Sequence, residues 1–207
     1  MRRIQRKNAG VKKSRSGKPN AIVLAALGLF TQYGYRKTSI DDIAQAAQVA
    51  KRTVYLHFEN KAAVFLAILE YLGDQVRQRC AAAELAGGTP VDRLTGLLDA
   101  YFGMAFELFS KSEHMQELEE TFSSLARTRI GELNQEHEHR LGRFLRSLEK
   151  TGEIGRPPHG ISVEQIVCIL VRSAGVAKHD AKLQGDRMAL ERRLRELAVL
   201  VIAAMRK

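Results

Sequence analysis

The stretch TSIDDIAQAAQVAKRTVYLHFENKAAVF, residues 38–65, contains two short amphipathic segments joined by a tight break. Ser39 and Asp42 have the three-residue spacing of a capping box, which predicts the start of the first helix. Its apolar side chains recur at three- and four-residue spacing at Ile40, Ile43, Ala44 and Ala47. Residues 48–50 interrupt this pattern before the second segment. The order predicts a helix-turn-helix over about residues 39–58.

The second segment, residues 51–58, carries side chains suited to DNA. In a helix-turn-helix the second helix lies in the major groove and presents its N-terminal side chains to base edges. Lys51 and Arg52 stand at this start, and Lys61 heads the next helix, where an ammonium group can bind a phosphate. Further donors are the hydroxyl and imidazole groups of Thr53, Tyr55 and His57. Two apolar side chains are expected to face the core: Val54 and Phe58.

The rest of the chain also predicts helices. No segment shows sustained alternation with a period of two, and all four Pro stand where helices can begin. We therefore expect an all-α protein with about nine helices. The boundary signals are Gly34 ending the first helix, Asn60 before the fourth, Thr89-Pro90 at the fifth, Ser162 at the eighth and Gly185-Asp186 at the ninth. A break near Ser123-Ser124 is expected after a sixth helix that starts at Ser110, because a helix of about 40 residues would be ~60 Å long.

The positive charge is confined to the first third of the chain. The formal net charge is +10, and residues 1–61 hold 13 Lys or Arg against three acidic residues, whereas residues 62–207 are neutral overall. Such segregation indicates that the N-terminal part meets a polyanion. Residues 1–18 carry eight of these bases and no acid, which predicts a flexible basic arm. The arm either follows a DNA minor groove or remains a solvated tail.

Residues 38–65, together with the approach LGLFTQYGYRKTS at residues 27–39, resemble the DNA-binding signature of the tetracycline-repressor (TetR) family. The resemblance implies a homodimer that binds a pseudo-palindromic operator and releases it when a small molecule enters a C-terminal pocket. It also implies a helix-turn-helix DNA-binding domain at residues 19–65. A helical ligand-binding and dimerisation domain would then occupy residues 66–207.

Carried over by position, the resemblance assigns functions to individual side chains. It implies phosphate contacts by Thr38, Thr53, Tyr55, His57 and Lys61. It implies base contacts by Lys51 and Arg52, and Tyr55 is a candidate for either kind of contact. Two positions in the turn depart from the family pattern, since Gln48 stands where Gly is common and Ala50 where Ser or Thr is usual. A left-handed backbone at Gln48 would cost ~1–2 kcal/mol. The absent cap at Ala50 would cost ~0.5–2 kcal/mol.

Candidate ligand-binding residues in the second domain are Tyr101, Met104 and His137. His137 occupies a helical stripe otherwise made of Ile, Leu and Phe. It is either a core histidine with satisfied hydrogen bonds, the commoner case, or a group that contacts a ligand. Tyr101 and Met104 either pack in the hydrophobic core, which is the favoured interpretation, or line a ligand pocket.

The ninth predicted helix is apolar on all sides from Leu197 to Met205, so its own domain can cover only part of it. A second copy of the chain would cover the rest in a four-helix bundle with the eighth helix. The predicted dimer interface consists of Ile166, Leu170, Ser173, Ala174, Ala177, Leu194, Leu197, Val201 and Met205.

Other functional classes lack support in the sequence. Cys80 and Cys168 stand too far apart for a CxxC metal site, and a reducing cytoplasm is the expected compartment. There is no nucleophile elbow, phosphate loop or zinc-ligand spacing, so we expect no enzyme, cofactor or metal. The longest apolar run is far shorter than the ~20 residues of a membrane helix. The alternative to a ligand-responsive repressor is a ligand-independent architectural DNA-binding dimer, which a well-formed buried pocket would argue against.

Overall fold

The protein folds into helices joined by short connections. A computed structural model describes residues 17–109 and 112–206, and within these ranges there is no strand. The elements are α1 (Lys18–Tyr33), α2 (Ile40–Ala46), α3 (Lys51–His57), α4 (Lys61–Leu85), α5 (Pro90–Leu98), a π-helical segment (Asp99–Gly103), α6 (Met104–Phe109), α7 (Met115–Leu125), α8 (Arg127–Thr151), α9 (Val163–Gln184) and α10 (Arg187–Ala204). Since α5, the π-helical segment and α6 follow one another without a loop, the described ranges hold nine helical rods. The expected all-α class and helix number are confirmed.

The predicted basic arm lies outside the described residues except for its last two positions. Gly17 caps α1 and Lys18 already belongs to it, so the helix begins at the last residue of the predicted arm. Pro19 lies in the first turn, where its missing N–H group costs no helical hydrogen bond.

Local cap chemistry sets the helix starts. Ser39 Oγ accepts from the backbone N–H of Asp42 at 3.2 Å, and Asp42 Oδ2 accepts from the backbone N–H of Ser39 at 2.8 Å. Thr89 and Asp92 form the same reciprocal pair at α5. Single side-chain oxygens cap α4 from Asn60 and α10 from Asp186. Each cap satisfies N–H groups that the first turn of a helix leaves without partners.

Two predicted boundaries of the middle helices are wrong. The break expected near Ser123-Ser124 falls instead at Ala126, whose small side chain is buried between α7 and α8. The helix expected from Ser110 begins at Met115, because the Ser112 hydroxyl accepts the backbone N–H of His114 in the preceding turn.

The turn between α2 and α3 has the two departures that the sequence indicated. Gln48 has φ 55°, the left-handed conformation that favours Gly. Val49 N–H donates to Ala44 O at 2.9 Å, which closes the turn. Ala50 is the N-cap of α3 and offers no side-chain oxygen to the helix. Packing in the N-terminal core therefore maintains a turn whose local sequence is unfavourable.

Two hydrophobic cores share α4. The N-terminal core packs α1 to α3 against the first half of α4 through residues such as Ile22, Phe30, Ile43, Val54 and Phe65. The C-terminal core joins α4 from Cys80 onward to α5, α8, α9 and α10. Val76 packs against both cores, and Met104 and Leu118 reach into the N-terminal one. Helix α4 thus runs unbroken through the expected domain boundary at residues 65 and 66, and the domain limits stay a prediction.

No helix in the described ranges is both long enough and apolar enough to span a bilayer. Nonpolar side chains instead concentrate in the two cores, with an additional group exposed on α9 and α10.

Replacing Ala50 by Ser should stabilise the protein, because the new hydroxyl can accept an N–H group in the first turn of α3. We expect a gain of about 0.5–1 kcal/mol in the free energy of unfolding, measured by urea denaturation. Ala81→Ser, at an exposed interior position of α4, is the matched control and should give no gain. Equal effects of the two substitutions would contradict the assignment of Ala50 as a helix cap.

Candidate nucleic-acid interface and ligand pocket

Helix α3 presents one polar face to solvent. Val54 is fully buried and Phe58 is half-buried, as predicted, and together they anchor the helix on the N-terminal core. The opposite side exposes the side chains of Lys51, Arg52, Tyr55, Leu56 and His57, while Thr53 is half-buried. The exposed set combines positive charge, a phenol and an imidazole, which are suited to phosphates and base edges.

Lys51 makes an ion pair that leaves it available to DNA. Its Nζ lies 2.8 Å from Asp41 Oδ2, and both side chains are exposed. Asp41 raises the pKa of Lys51, chiefly through this hydrogen bond. Exposed pairs of this kind contribute little to stability, because water screens both charges. A phosphate or base could therefore replace the carboxylate at little cost.

Lys61 has a different role from the predicted phosphate contact. Its Nζ donates to the backbone carbonyl oxygens of Tyr35 at 2.8 Å, Arg36 at 3.4 Å and Thr38 at 2.9 Å, and it lies 4.4 Å from the centroid of the Tyr35 ring. An ammonium group has three N–H donors, so all of them are used. Burial lowers the pKa of Lys61. Lys61 therefore holds the loop between α1 and α2 against the start of α4, and its phosphate contact stays a prediction.

Thr38, the other predicted phosphate contact beside this loop, also bonds to the backbone. Its side chain is buried, and its hydroxyl donates to Gly34 O at 2.8 Å. The hydroxyl closes the same loop that Lys61 holds, so it faces the protein interior rather than the DNA. The sequence motif did not reveal that both residues bond to backbone carbonyl oxygens.

Leu56 is a residue of this surface that the sequence reasoning missed. It is 73% exposed, among the polar side chains of α3. Apolar side chains on a reading helix can contact the methyl group of thymine. The signal was present in the sequence, because Leu56 is out of phase with the buried Val54 and Phe58.

Helix α7 contacts the same loop from the other side. Glu117 Oε1 accepts from the backbone N–H of Arg36 at 2.5 Å, and the Ser112 hydroxyl donates to Thr31 O at 2.7 Å. The loop that precedes the helix-turn-helix is therefore bonded both to α4, through Lys61, and to α7.

A cavity of about 490 Å³ lies between α4, α6, α7 and α8. Its volume falls in the range of small-molecule sites. The apolar part of its wall includes Leu69, Leu72, Val76, Met104, Ile130 and Leu133. Tyr101 and His137 complete the wall, so the structure brings the three sequence-predicted ligand residues to one pocket.

His137 is a buried histidine without a protein hydrogen-bond partner. Only 4% of the residue is exposed, and neither ring nitrogen contacts a protein donor or acceptor. Its imidazole stacks on the Tyr101 ring with centroids 4.4 Å apart and planes 14° apart. Burial, assisted by Arg140, lowers the pKa of His137 to about 4, so the ring is neutral at pH 7. The protein itself therefore supplies no hydrogen-bond partner to His137, in contrast to the commoner satisfied core histidine.

The other polar groups of the pocket are already paired. Arg77 contacts Asp74 at 2.6 Å and Glu136 at 3.1 Å, and Arg140 contacts Glu84 at 3.0 Å. The Tyr101 hydroxyl donates to the Asn134 side-chain oxygen, and burial raises the pKa of Tyr101 to about 12. Lys178 of α9 also lines the pocket.

The predicted dimer interface needs correction. Five of its members are buried in the chain's own core: Ile166, Leu170, Ala174, Leu194 and Met205. The remaining four are only partly exposed: Ser173, Ala177, Leu197 and Val201. The apolar side chains left in solvent on these helices are Ile169, Val176, Leu183, Met188, Val199 and Leu200. On these two helices the sequence pattern identified the face that packs inside the chain, and the helices that form a dimer stay a prediction.

Within the described ranges, no group of three or more His, Cys, Asp or Glu side chains is arranged to hold a metal ion. Cys80 is buried in the pocket wall, where burial raises the pKa of its thiol to about 11.

Comparison with known proteins identifies the N-terminal domain. Residues 22–68 match the family model described as bacterial regulatory proteins, tetR family, which confirms the resemblance found in the sequence. The chain is 34% identical over 73 residues to the HTH-type transcriptional regulator YuxN of Bacillus subtilis, covering 35% of this chain and 25% of that one. It is 38% identical over 59 residues to the HTH-type transcriptional regulator RutR of Escherichia coli, covering 28% of each. The matched part thus spans a third or less of these relatives.

The fold as a whole resembles solved structures. A TetR transcription regulator from Haloarcula marismortui superposes with a TM-score of 0.72 at 18% identity, over 92% of this chain and 98% of that one. At this identity the likeness concerns the fold, including the helical arrangement that follows the DNA-binding domain.

The neutral state of His137 predicts a pH-dependent stability. The ring is uncharged in the folded protein down to about pH 4 but takes up a proton near pH 6.5 when unfolded. The contribution of the neutral His137 to the free energy of unfolding is therefore fully present above pH 6.5. This contribution is lost as the pH falls toward 4. Between pH 7 and pH 4.5 this group should account for about 2–3 kcal/mol of lost stability.

His137→Leu should remove that part of the acid sensitivity, as measured by urea denaturation at the two pH values. His139→Leu, two residues along α8 and exposed, is the control and should keep the wild-type profile. Parallel profiles for His137→Leu and wild type would show that His137 is not held neutral by burial.

Proposed function

Because this chain belongs to the TetR family through its N-terminal domain, we propose that it is a one-component transcriptional repressor. It binds a pseudo-palindromic operator as a homodimer and releases the DNA when a small molecule occupies the pocket. The observation that carries this proposal is the surface of α3, where Val54 is anchored inside and Lys51, Arg52 and Tyr55 stand in solvent. We assign the protein to the cytoplasm, where it has access to chromosomal DNA.

The proposed DNA contacts divide by position on α3. Arg52 and Lys51, at the start of the helix, approach base edges in the major groove. Tyr55, His57 and Thr53 contact phosphates, and Leu56 adds an apolar contact. The charge of residues 1–61 supports a polyanionic partner, since the remainder of the chain is neutral overall.

The proposed dimer uses the exposed apolar faces of α9 and α10. Ile169 and Val176 are seven residues apart, so they lie on one side of α9, and each is 62% exposed. Leu200 of α10 is 66% exposed. Pairing these faces with their copies would form a four-helix bundle and remove the apolar side chains from water. A symmetric dimer would then present its two α3 helices about one DNA turn apart, ~34–36 Å.

The proposed switch runs through α4 and α7. Six residues of α4, between Leu69 and Cys80, contribute to the pocket wall, and Ser123 contributes from α7. The other ends of these two helices hold the loop before the helix-turn-helix through Lys61 and Glu117. A ligand that favours a different position of α4 would move α3 relative to its copy in the dimer. For release, the ligand must bind the two arrangements with different affinity.

The ligand-independent architectural dimer is the second candidate. It requires no pocket, whereas the cavity here is large and contains a buried, unpaired His137. Retaining an unsatisfied buried polar group costs about 1–3 kcal/mol. A ligand that hydrogen-bonds His137 would offset this loss of stability. The pocket therefore favours the ligand-responsive repressor.

DNA binding is tested with genomic fragments selected for retention by the purified protein. Binding should weaken about 10³–10⁵-fold between ~50 and ~200 mM salt, as expected for six to ten phosphate contacts. Arg52→Ala should weaken binding about 5- to 150-fold, since a bidentate base contact contributes ~1–3 kcal/mol. The control Arg156→Ala removes an equally charged, exposed side chain after α8 and should have little effect. Salt-independent binding, or equal effects of both substitutions, would refute the proposal.

The dimer is tested by placing charge on the exposed face of α9. The double substitution Ile169→Glu and Val176→Glu should convert a dimer into a 23.1 kDa monomer in light scattering at micromolar concentration. Leu85→Glu, at an exposed apolar side chain at the end of α4, is the control and should remain dimeric. A wild-type protein that is monomeric under these conditions would exclude the proposed arrangement.

A further inference from the structure

The chemistry of the pocket identifies a class of ligand. We propose that the pocket takes an uncharged, mainly aliphatic molecule with a hydroxyl or carbonyl group that hydrogen-bonds the imidazole of His137. This inference rests on the proposed function, because it names the chemical class of the effector.

His137 supplies the polar anchor. Both ring nitrogens are buried and have no protein partner, and the ring lines the cavity. Its orientation is fixed by stacking on Tyr101 and by an edge contact with Phe102, whose centroid lies 6.1 Å away. A neutral imidazole has one N–H donor and one acceptor nitrogen. A ligand hydroxyl can pair with either nitrogen, and a carbonyl oxygen can accept from the N–H, when the ligand displaces the atoms that cover both nitrogens.

The charges around the pocket disfavour a charged ligand. His137 carries no positive charge at neutral pH, since burial and Arg140 lower its pKa. The guanidinium groups of Arg77 and Arg140 are already paired with carboxylates. An anion at either arginine would have to compete with these carboxylates, and a cation would face Arg77, Arg140 and Lys178. Either would also lose its hydration against an apolar wall, which is costly for an unpaired charge.

The remaining wall favours an aliphatic body. Leu69, Leu72 and Val76 form the α4 side, and Ile130 and Leu133 form the α8 side. The Tyr101 hydroxyl is hydrogen-bonded to Asn134. Tyr101 therefore lines the pocket with its aromatic ring rather than with its oxygen. A flexible chain can follow such a surface, and its transfer from water is favourable in proportion to the apolar area buried.

Three ligands of one chain length test the charge requirement. 1-Decanol, decanoate and decyltrimethylammonium are titrated separately into the full chain without DNA, at pH 7.5 and below their micelle concentrations, by calorimetry. The alcohol should bind at least tenfold more tightly than either ion. Decanoate binding as tightly as the alcohol, through Lys178 or a displaced arginine, would overturn the proposal. So would absence of binding by 1-decanol.

Two substitutions test the anchor. His137→Leu should weaken 1-decanol binding about three- to tenfold by removing one hydrogen bond. His137→Gln keeps a donor and an acceptor and should retain most of the affinity, which also tests the anchor if the Leu variant fails to fold. His139→Leu is the exposed control and should bind as wild type does. Unchanged affinity in a folded His137→Leu protein, or loss in the Gln variant equal to loss in the Leu variant, would contradict the role of His137.

Release of selected DNA is measured separately, so that the two proposals can fail independently. Binding of 1-decanol through His137 without DNA release would leave the ligand class standing and refute the ligand-responsive switch. DNA release by decanoate, with no effect of 1-decanol, would support the switch and refute the uncharged class.

Discussion

The ammonium group of Lys61 joins the start of α4 to the loop between α1 and α2. It donates to three carbonyl oxygens of the loop between α1 and α2, and its charge is partly buried beside the Tyr35 ring. These bonds connect residues more than twenty positions apart in the chain. They fix the beginning of α4 to the segment that leads directly into the helix-turn-helix. The position of α3 therefore depends on the position of α4.

Helix α4 extends this constraint to the pocket. Its 25 residues form one rod of about 37 Å, and its side chains belong to both hydrophobic cores. A rod with packed partners along its length cannot bend locally at low cost, so in the proposed switch a ligand against its middle would act on its N-terminal end. Glu117 on α7 contacts the same loop. The arrangement gives the pocket two mechanical connections to the DNA-binding surface.

Local chemistry was predictable from the sequence, whereas contacts between distant elements were not. The caps at Ser39 and Asn60 use residues three positions apart, and the buried Val54 follows from helical periodicity. The roles of Lys61 and Thr38 depend on backbone carbonyls that only the folded chain brings within reach. The sequence could therefore place both residues near the interface without distinguishing a phosphate contact from an internal bond.

The same reasoning explains the errors in the second domain. Helices α9 and α10 have apolar side chains on more than one face. Periodicity alone does not show which of these faces packs inside the chain. Ile166 and Leu170 serve the chain's own core, while Ile169 remains in solvent. For His137, the apolar neighbours were visible in the sequence, but the lack of a hydrogen-bond partner depends on the side chains of other helices.

The salt dependence of DNA binding by Lys61→Met tests most directly whether Lys61 acts inside the protein. Met keeps a long unbranched side chain but has neither the charge nor the three donors. If Lys61 only positions the reading surface, DNA affinity falls while the slope of log affinity against log salt stays at the wild-type value. If Lys61 binds a phosphate, the slope becomes shallower by about 0.9 for each phosphate that the variant no longer binds, and that result would contradict an internal role for Lys61.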